Sequence, residues 1–216
     1  MAIEKMSDFF SARVEIYDEH MLNDVEGAAD AYVALSRLVP QNVARLLDLG
    51  CGTGLELGEI WKLHPDIAVT GIDLAQAMLD KLKEKYPDKN TELICGNYFD
   101  VDLGSAAFDV AISFQTMHHF SHEDKVKLYS RVKAALKPGG QYIEADYMVT
   151  EQSQEDAFYS ENRRLRREQG IAESELYHFD TPCAIENQIE LLKRAGFRDA
   201  RQVWRKGNTT IIVADQ

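Results

Sequence analysis

Nine residues, Leu46-Leu47-Asp48-Leu49-Gly50-Cys51-Gly52-Thr53-Gly54, set an acid at the end of an apolar run and place three alternating glycines behind it. Glycine lacks a Cβ, so such a turn can take positive φ and let a nucleotide-like ligand approach the main chain. Asp48 can accept a hydrogen bond there from a cationic or hydroxylated ligand. A second acid, Asp73, closes the apolar run that starts at Ile67. It stands about 20 residues beyond the turn, the spacing at which a carboxylate reaches ribose hydroxyls; the plainer alternative is that it caps the next helix. Cys95-Gly96-Asn97-Tyr98 then offers an amide carbonyl that can accept a hydrogen bond and an aromatic face beside it. His118 and His119 follow another apolar run, where imidazole can act as a base or bond an acceptor oxygen.

The elements that must position these groups alternate. Short apolar runs predict strands near 44–49, 67–72, 91–95, 108–114 and 139–147. Between them 54–63, 75–85 and 122–136 carry apolar residues at helical spacing, as in Met78, Leu79, Leu82 and Tyr86. Ser121-His122-Glu123-Asp124 has the form of a capping box, and its helix should end before Lys137-Pro138-Gly139-Gly140. Thr181-Pro182 predicts an N-cap followed by proline at the first helical position, with the helix running to Ala195 before Gly196. Two β-rich runs, Ala200 to Trp204 and Thr209 to Ala214, flank the hairpin candidate Arg205-Lys206-Gly207-Asn208. This order predicts an α/β fold with a mostly parallel sheet. Residues 1–40 and the charged segment 150–180 should be helical and lie outside the sheet.

The nine residues Leu46 to Gly54 resemble motif I of the class I S-adenosylmethionine (SAM) dependent methyltransferases. Phe108 to Phe120 resembles their motif IV, and Leu136-Lys137-Pro138-Gly139-Gly140 resembles the turn before their fifth strand. Dinucleotide dehydrogenases prefer G-x-G-x-x-G, whereas this turn reads G-C-G-T-G. The resemblance implies a Rossmann-like seven-stranded, mostly parallel sheet with an antiparallel C-terminal hairpin, flanked by helices. It also implies a single methyltransferase domain over 1–216: a helical lid at 1–40, a SAM-binding core at 41–149, an insertion or second lid at 150–180, and the last helix and hairpin at 181–216.

The same resemblance implies SAM as cofactor and S-adenosylhomocysteine as product. Asp48, Gly50, Cys51 and Gly52 would bound the methionine part, and Asp73, Leu74 and Met78 the ribose and adenine. Asn97 would accept the adenine amino group where many relatives carry Asp, with Tyr98 and Phe114 alongside. Arg13-Val14-Glu15-Ile16-Tyr17-Asp18-Glu19-His20 resembles a helix that closes over the cofactor, so Arg13 would meet its carboxylate and Tyr17 would cover it. His118 and His119 are the catalytic candidates, although such pairs also pack beneath the cofactor. His20, Asp146, Tyr147 and His178 are the acceptor-side candidates. The implied reaction is methyl transfer to a small molecule. The alternatives are methylation of tRNA or protein, synthesis of a carboxylated SAM, and a non-catalytic SAM-binding regulatory module.

Charge narrows these choices. Lys and Arg number 24 against 36 Asp and Glu, a formal charge of −12 that weighs against phosphate backbones. The single basic run, Arg163-Arg164-Leu165-Arg166-Arg167, is interleaved with Glu161 and Glu168 and predicts an ion-paired helix face, with an anion site as the alternative. Three separated cysteines suggest neither a disulfide framework nor a CxxC metal site. His118, His119 and His122 lack a paired Cys or acid at ligand spacing, so no metal is predicted. No apolar run approaches the roughly 18 to 20 residues of a membrane span, and the N-terminus lacks a signal-peptide pattern. These features predict a cytoplasmic protein without a membrane partner; no motif indicates an oligomeric state.

Overall fold

The computed structural model describes residues 2–216. Three helices, α1 (Met6–Ser11), α2 (Val14–Asn23) and α3 (Ala28–Leu38), precede the sheet. Then follow β1 (Arg45–Leu49), α4 (Leu55–Leu63), β2 (Ala68–Asp73), α5 (Gln76–Lys85), β3 (Thr91–Cys95) and β4 (Phe108–Phe114). After a turn of 3-10 helix at Met117–His119 come α6 (His122–Ala135), β5 (Leu136–Val149), α7 (Gln152–Gln169), β6 (Cys183–Ala184), α8 (Ile185–Arg194), β7 (Asp199–Lys206) and β8 (Thr209–Asp215).

Seven strands lie in the order β3-β2-β1-β4-β5-β8-β7, with β8 antiparallel to both its neighbours and the rest parallel. The expected mixed sheet is therefore present. Alternate residues of one strand serve opposite cores. Leu46, Val69, Ile112 and Ile143 pack with α3, α4 and α5, whereas Leu47, Leu49, Ala111 and Tyr142 pack with α6 and α8. Coverage of both faces is why the central strands read as continuous apolar runs. It also leaves the carboxyl edges of β1, β2 and β4 as the open end of the sheet, the place where such folds receive ligands.

The described boundaries agree with the sequence reading at β1 to β4, α4 to α6 and the C-terminal hairpin, whose turn narrows to Gly207-Asn208. The Ser121 hydroxyl accepts the Asp124 N–H at 3.2 Å, as the capping pattern predicts.

Thr181-Pro182 needs correction. Cys183 and Ala184 pair with Met148 and Val149, and α8 begins only at Ile185. Thr181 is withheld from capping because its N–H and its hydroxyl both donate to the His118 carbonyl, at 2.6 and 2.8 Å. The buried Glu155 carboxylate takes the Ala184 N–H at 2.5 Å. On α7, Arg164 pairs with Glu161 and Glu168 at 2.5 and 2.6 Å, in keeping with a solvated ion-paired face. No helix among the described residues is long and apolar enough to cross a membrane.

Candidate active site

The glycine turn is held against β2. The Gly50 and Cys51 N–H groups both donate to the Ile72 carbonyl, at 2.8 and 3.2 Å. Gly50 takes φ +76°, and a Cβ there would lie 2.8 Å from Thr116 Oγ1. Only glycine fits both demands. Asp73 closes the other side: its Oδ2 accepts the Gly52 N–H at 2.9 Å and its Oδ1 accepts the Ala75 N–H at 2.8 Å. The helix-entry role and the turn-facing role thus fall on one carboxylate, and each oxygen keeps a lone pair for a hydroxyl donor. Burial pushes this carboxyl up, and the N–H groups of Ala75, Gly52 and Leu74 oppose that rise.

Gly50, Gly52, Asp73, Leu74 and Met78 line one crevice, which Asn97, Tyr98, Phe114 and Thr116 continue. The Tyr98 hydroxyl shares a 2.9 Å hydrogen bond with Thr116 Oγ1. Asn97 builds its own turn, its carbonyl accepting from Phe99 N–H at 3.0 Å and its amide donating to Asp100 at 2.9 Å. Phe114 stacks on Tyr32 at 4.0 Å. Two predicted contacts lie elsewhere: Asp48 and Cys51 line neither this crevice nor the larger cavity described below. Cys51 packs its sulfur against Gly71 beneath the turn. Asp48 is fully buried, and neither carboxylate oxygen has a hydrogen-bond partner. Burial first and the neighbouring Glu56 second raise its carboxyl far above the usual range.

Met6, Phe10, Tyr17 and Leu176 roof the crevice and leave about 50 Å³ of open volume. Binding pockets for small ligands span roughly 300–1,000 Å³, so a nucleoside-sized molecule enters only as this roof moves. The roof is fastened at identifiable points. Asp18 of α2 accepts hydrogen bonds from Thr53 in the glycine turn and, at 2.5 Å, from Lys85. The Met6 N–H donates to Leu176 and the His178 N–H to Glu4, tying the first helix to the segment after α7.

Beside the crevice lies a cavity of about 650 Å³, and Phe10, Tyr17 and Gln115 border both. Its walls include Arg13, His20, His118, His119, Tyr147, His178 and Asp180. Arg13 is committed to Glu4 at 2.9 Å and lies 3.7 Å over the Phe9 ring, and His20 pairs with Asp24 at 3.0 Å. Asp146 is absent from the walls and 1% exposed. It stands behind His118, 2.5 Å from Nδ1, so its expected contact with an acceptor is replaced by a hold on the imidazole.

Burial disfavours charge on His118, but Asp146 and Asp180 outweigh it and lift the imidazole to about 10. His119 goes the other way, since burial and the adjoining His118 charge keep it neutral well below its ordinary value. His122, close to them in sequence, points away and pairs with Glu155 at 2.6 Å.

Sequence reasoning missed three residues that border these spaces. Gln115 has φ +51°, an unusual conformation for a residue with a side chain, and its amide donates to Thr209 at 3.1 Å. Phe10 belongs to the N-terminal segment, where only amphipathicity was visible. Asp180 stands two residues after the candidate His178, and its partners His118 and His119, about 60 residues away, leave no signal in that spacing.

Residues 46–140 match the family model described as a methyltransferase domain. A carboxy-S-adenosyl-L-methionine synthase of Campylobacter fetus is 24% identical over 98% of this chain and 95% of its own length. A malonyl-[acyl-carrier protein] O-methyltransferase of Priestia megaterium is 33% identical over 42% of this chain and 33% of its own. Among solved structures, a phosphoethanolamine N-methyltransferase of Haemonchus contortus bound to SAM superimposes with a TM-score of 0.73 at 18% identity, covering 99% of this chain and 60% of that one. Human N-acetylserotonin methyltransferase with SAM gives 0.67 at 18% identity, covering 96% and 55%. The chain thus spans a little over half the length of these solved relatives, whose likeness is one of fold. The crevice residues suit that cofactor: a side-chain-free approach at Gly50 and an acid at Asp73 with lone pairs to spare.

Proposed function

We propose that this SAM-dependent methyltransferase-type enzyme methylates a small molecule held in the 650 Å³ cavity. The observation that carries this reading is the shared border of the two spaces, Phe10, Tyr17 and Gln115, which sets the cavity directly beside the crevice with only these side chains at the junction. SAM supplies a methyl group on a sulfonium, and on transfer the C–S bonding pair stays on sulfur as S-adenosylhomocysteine forms. The chain's work is then mostly positioning. Asp73 receives ribose hydroxyls while the Gly52 and Ala75 N–H groups fix its oxygens. Leu74 and Met78 bound the adenine side, and Asn97 and Tyr98 close its edge. Tyr17 excludes water from the junction, and Gln115 borders the acceptor's path. His119, neutral at pH 7, can take a proton from an acceptor that must lose one; His118, charged and gripped by Asp146, can hold an acceptor anion.

Incubation with SAM and mixed small-molecule acceptors, read by mass spectrometry for S-adenosylhomocysteine and a methylated product, tests the reading. Its absence across acceptor classes, with SAM binding intact, would count against it.

A second reading has a specific motive. The relatives matched over nearly the whole chain are carboxy-S-adenosyl-L-methionine synthases, and Arg13 supplies a cation in the cavity wall. Asp24, Glu26 and Asp180 in the same wall make it a poor receptor for a carboxylate, which is why methyl transfer stands first. The arginines at 163–167 line neither space. The same assay, with carboxylate-bearing donors among the small molecules, separates the two, since replacing a methyl hydrogen of SAM by the donor's carboxyl yields a nucleoside heavier by the elements of CO2.

A further inference from the structure

Three imidazole nitrogens converge on a single carboxylate oxygen in the cavity wall. His118 Nε2, His119 Nδ1 and His178 Nε2 stand 3.5, 3.7 and 3.8 Å from Asp180 Oδ1. All three separations exceed the roughly 2.7–3.2 Å of an N–H···O hydrogen bond, and His119 Nδ1 has besides only a long 3.4 Å contact with the Phe179 carbonyl, which an ion would replace. They approach the edge of a coordination shell instead, because ligand atoms about 2.0–2.1 Å from a tetrahedral ion lie about 3.3–3.4 Å apart. The ligating atoms of His118, His119 and Asp180 all fall within 4.8 Å of one another.

We propose that His118, His119 and Asp180 bind a divalent transition-metal ion of the zinc or iron(II) class, with an open coordination position toward the cavity for an oxygen of the acceptor. Two histidines and one carboxylate suit such ions and leave room for an exogenous ligand. The proposal deepens the methyl-transfer reading, on which its acceptor rests, and narrows the acceptor to a molecule with an ionisable oxygen; with the ion bound, the ion takes over the base role of His119 and the anion-holding role of His118. On the ion that oxygen loses its proton to water more readily and keeps the lone pair that bonds to the methyl carbon.

The surroundings have the form that a metal centre needs. Asp146 Oδ1 lies 2.5 Å from His118 Nδ1 and also accepts the Tyr147 N–H at 2.9 Å, so it fixes the ring with Nε2 toward Asp180, and an ion binding there displaces the Nε2 proton to water. Thr181 clamps the loop carrying Asp180 to the His118 carbonyl through two hydrogen bonds. Phe9 stacks on His178 at 3.5 Å and closes the outer side. Charge agrees as well, since Asp24, Glu26 and Asp180 face the cavity and its one arginine is already paired with Glu4. The other cluster of ligand-type residues, His122, Glu155 and Cys183, is a poorer candidate because the Lys125 ammonium stands 3.1 Å from the Cys183 sulfur and supplies a cation there.

Titration of chelator-treated full-length protein with cobalt(II), followed by visible absorption, tests the assignment. The expected result is one ion per chain with d–d bands and no thiolate charge-transfer band. Asp180→Asn and His119→Ala should each weaken binding by more than tenfold, Asp146→Asn by about 10–100-fold, and His122→Ala should leave it unchanged. S-adenosylhomocysteine binding by the same variants reports on their folding, because the cofactor crevice includes none of these residues. No cobalt binding by wild type, binding undiminished in Asp180→Asn, or a thiolate band lost in His122→Ala would each overturn the proposal. Wild type that binds cobalt as described but not S-adenosylhomocysteine would instead remove the methyl-transfer reading and leave the metal site standing.

Discussion

Asp73 Oδ2 accepts the Gly52 N–H at 2.9 Å, so the acid that ends β2 is bonded to the glycine turn that follows β1. The turn and the Asp73 carboxylate are therefore one hydrogen-bonded unit, and neither can be changed without the other. Asp73→Ala should remove both backbone partners and the proposed ribose acceptor together. Hydrogen bonds to charged groups contribute about 1.5–3 kcal/mol each, so a loss of at least tenfold to a hundredfold in S-adenosylhomocysteine affinity is expected. Calorimetric titration checks this; an unchanged affinity would place the ribose elsewhere.

Gly50→Ala brings a Cβ to within 2.8 Å of Thr116 Oγ1 at φ +76°. A left-handed conformation at a non-glycine residue costs about 1–3 kcal/mol. The variant should unfold at lower denaturant by that amount and bind S-adenosylhomocysteine more weakly. Equal stability of the two proteins in urea would contradict the argument.

Asp18 fastens the roof through Thr53 and Lys85. Asp18→Ala should let the lid open more often, so that both association and dissociation of S-adenosylhomocysteine quicken in stopped-flow traces. Unchanged rates would mean that the roof is held by its apolar contacts alone.

Glu144 is fully buried among Tyr129, Tyr142 and Gln188, with the two tyrosine hydroxyls donating at 2.7 and 3.0 Å. Burial first, and then Asp146, raise its carboxyl to about 7, against Lys125 and the tyrosines. The folded protein then holds a proton that the unfolded chain has released above its ordinary value of 4.5. Its contribution is complete below 4.5 and is lost as pH rises to about 7. Glu144→Gln cannot titrate. The stability of wild type relative to this variant should fall across that window in urea melts at several pH values, and a rise would reverse the sign of the argument.

The sheet was legible because its signals are local. Leu46 to Leu49 and Val110 to Phe114 are apolar runs bounded by turn residues, and the glycine turn and Asp73 lie on adjacent strand ends whose spacing follows from a single β-α-β unit. The same locality explains Thr181, whose pattern suggests a cap while its real partner, the His118 carbonyl, is 63 residues away. The cavity was mostly illegible for this reason. Phe10, Gln115 and Asp180 come from the first helix, the end of β4 and the loop after α7. Asp180 supplies the acid that the adjacent histidines lacked, and its register with them is set only by the tertiary fold. Asp48 shows the reverse case, a motif residue whose carboxylate the closed turn covers completely.

A crystal structure of the complex with S-adenosylhomocysteine tests the central claim most directly. The account predicts the ribose on Asp73, the adenine between Met78 and Asn97, α1 and α2 displaced from their roofing position, and the sulfur toward Gln115 with the 650 Å³ cavity free for an acceptor. An adenosyl group seated in the larger cavity, with the crevice still roofed by Phe10 and Tyr17, would contradict it.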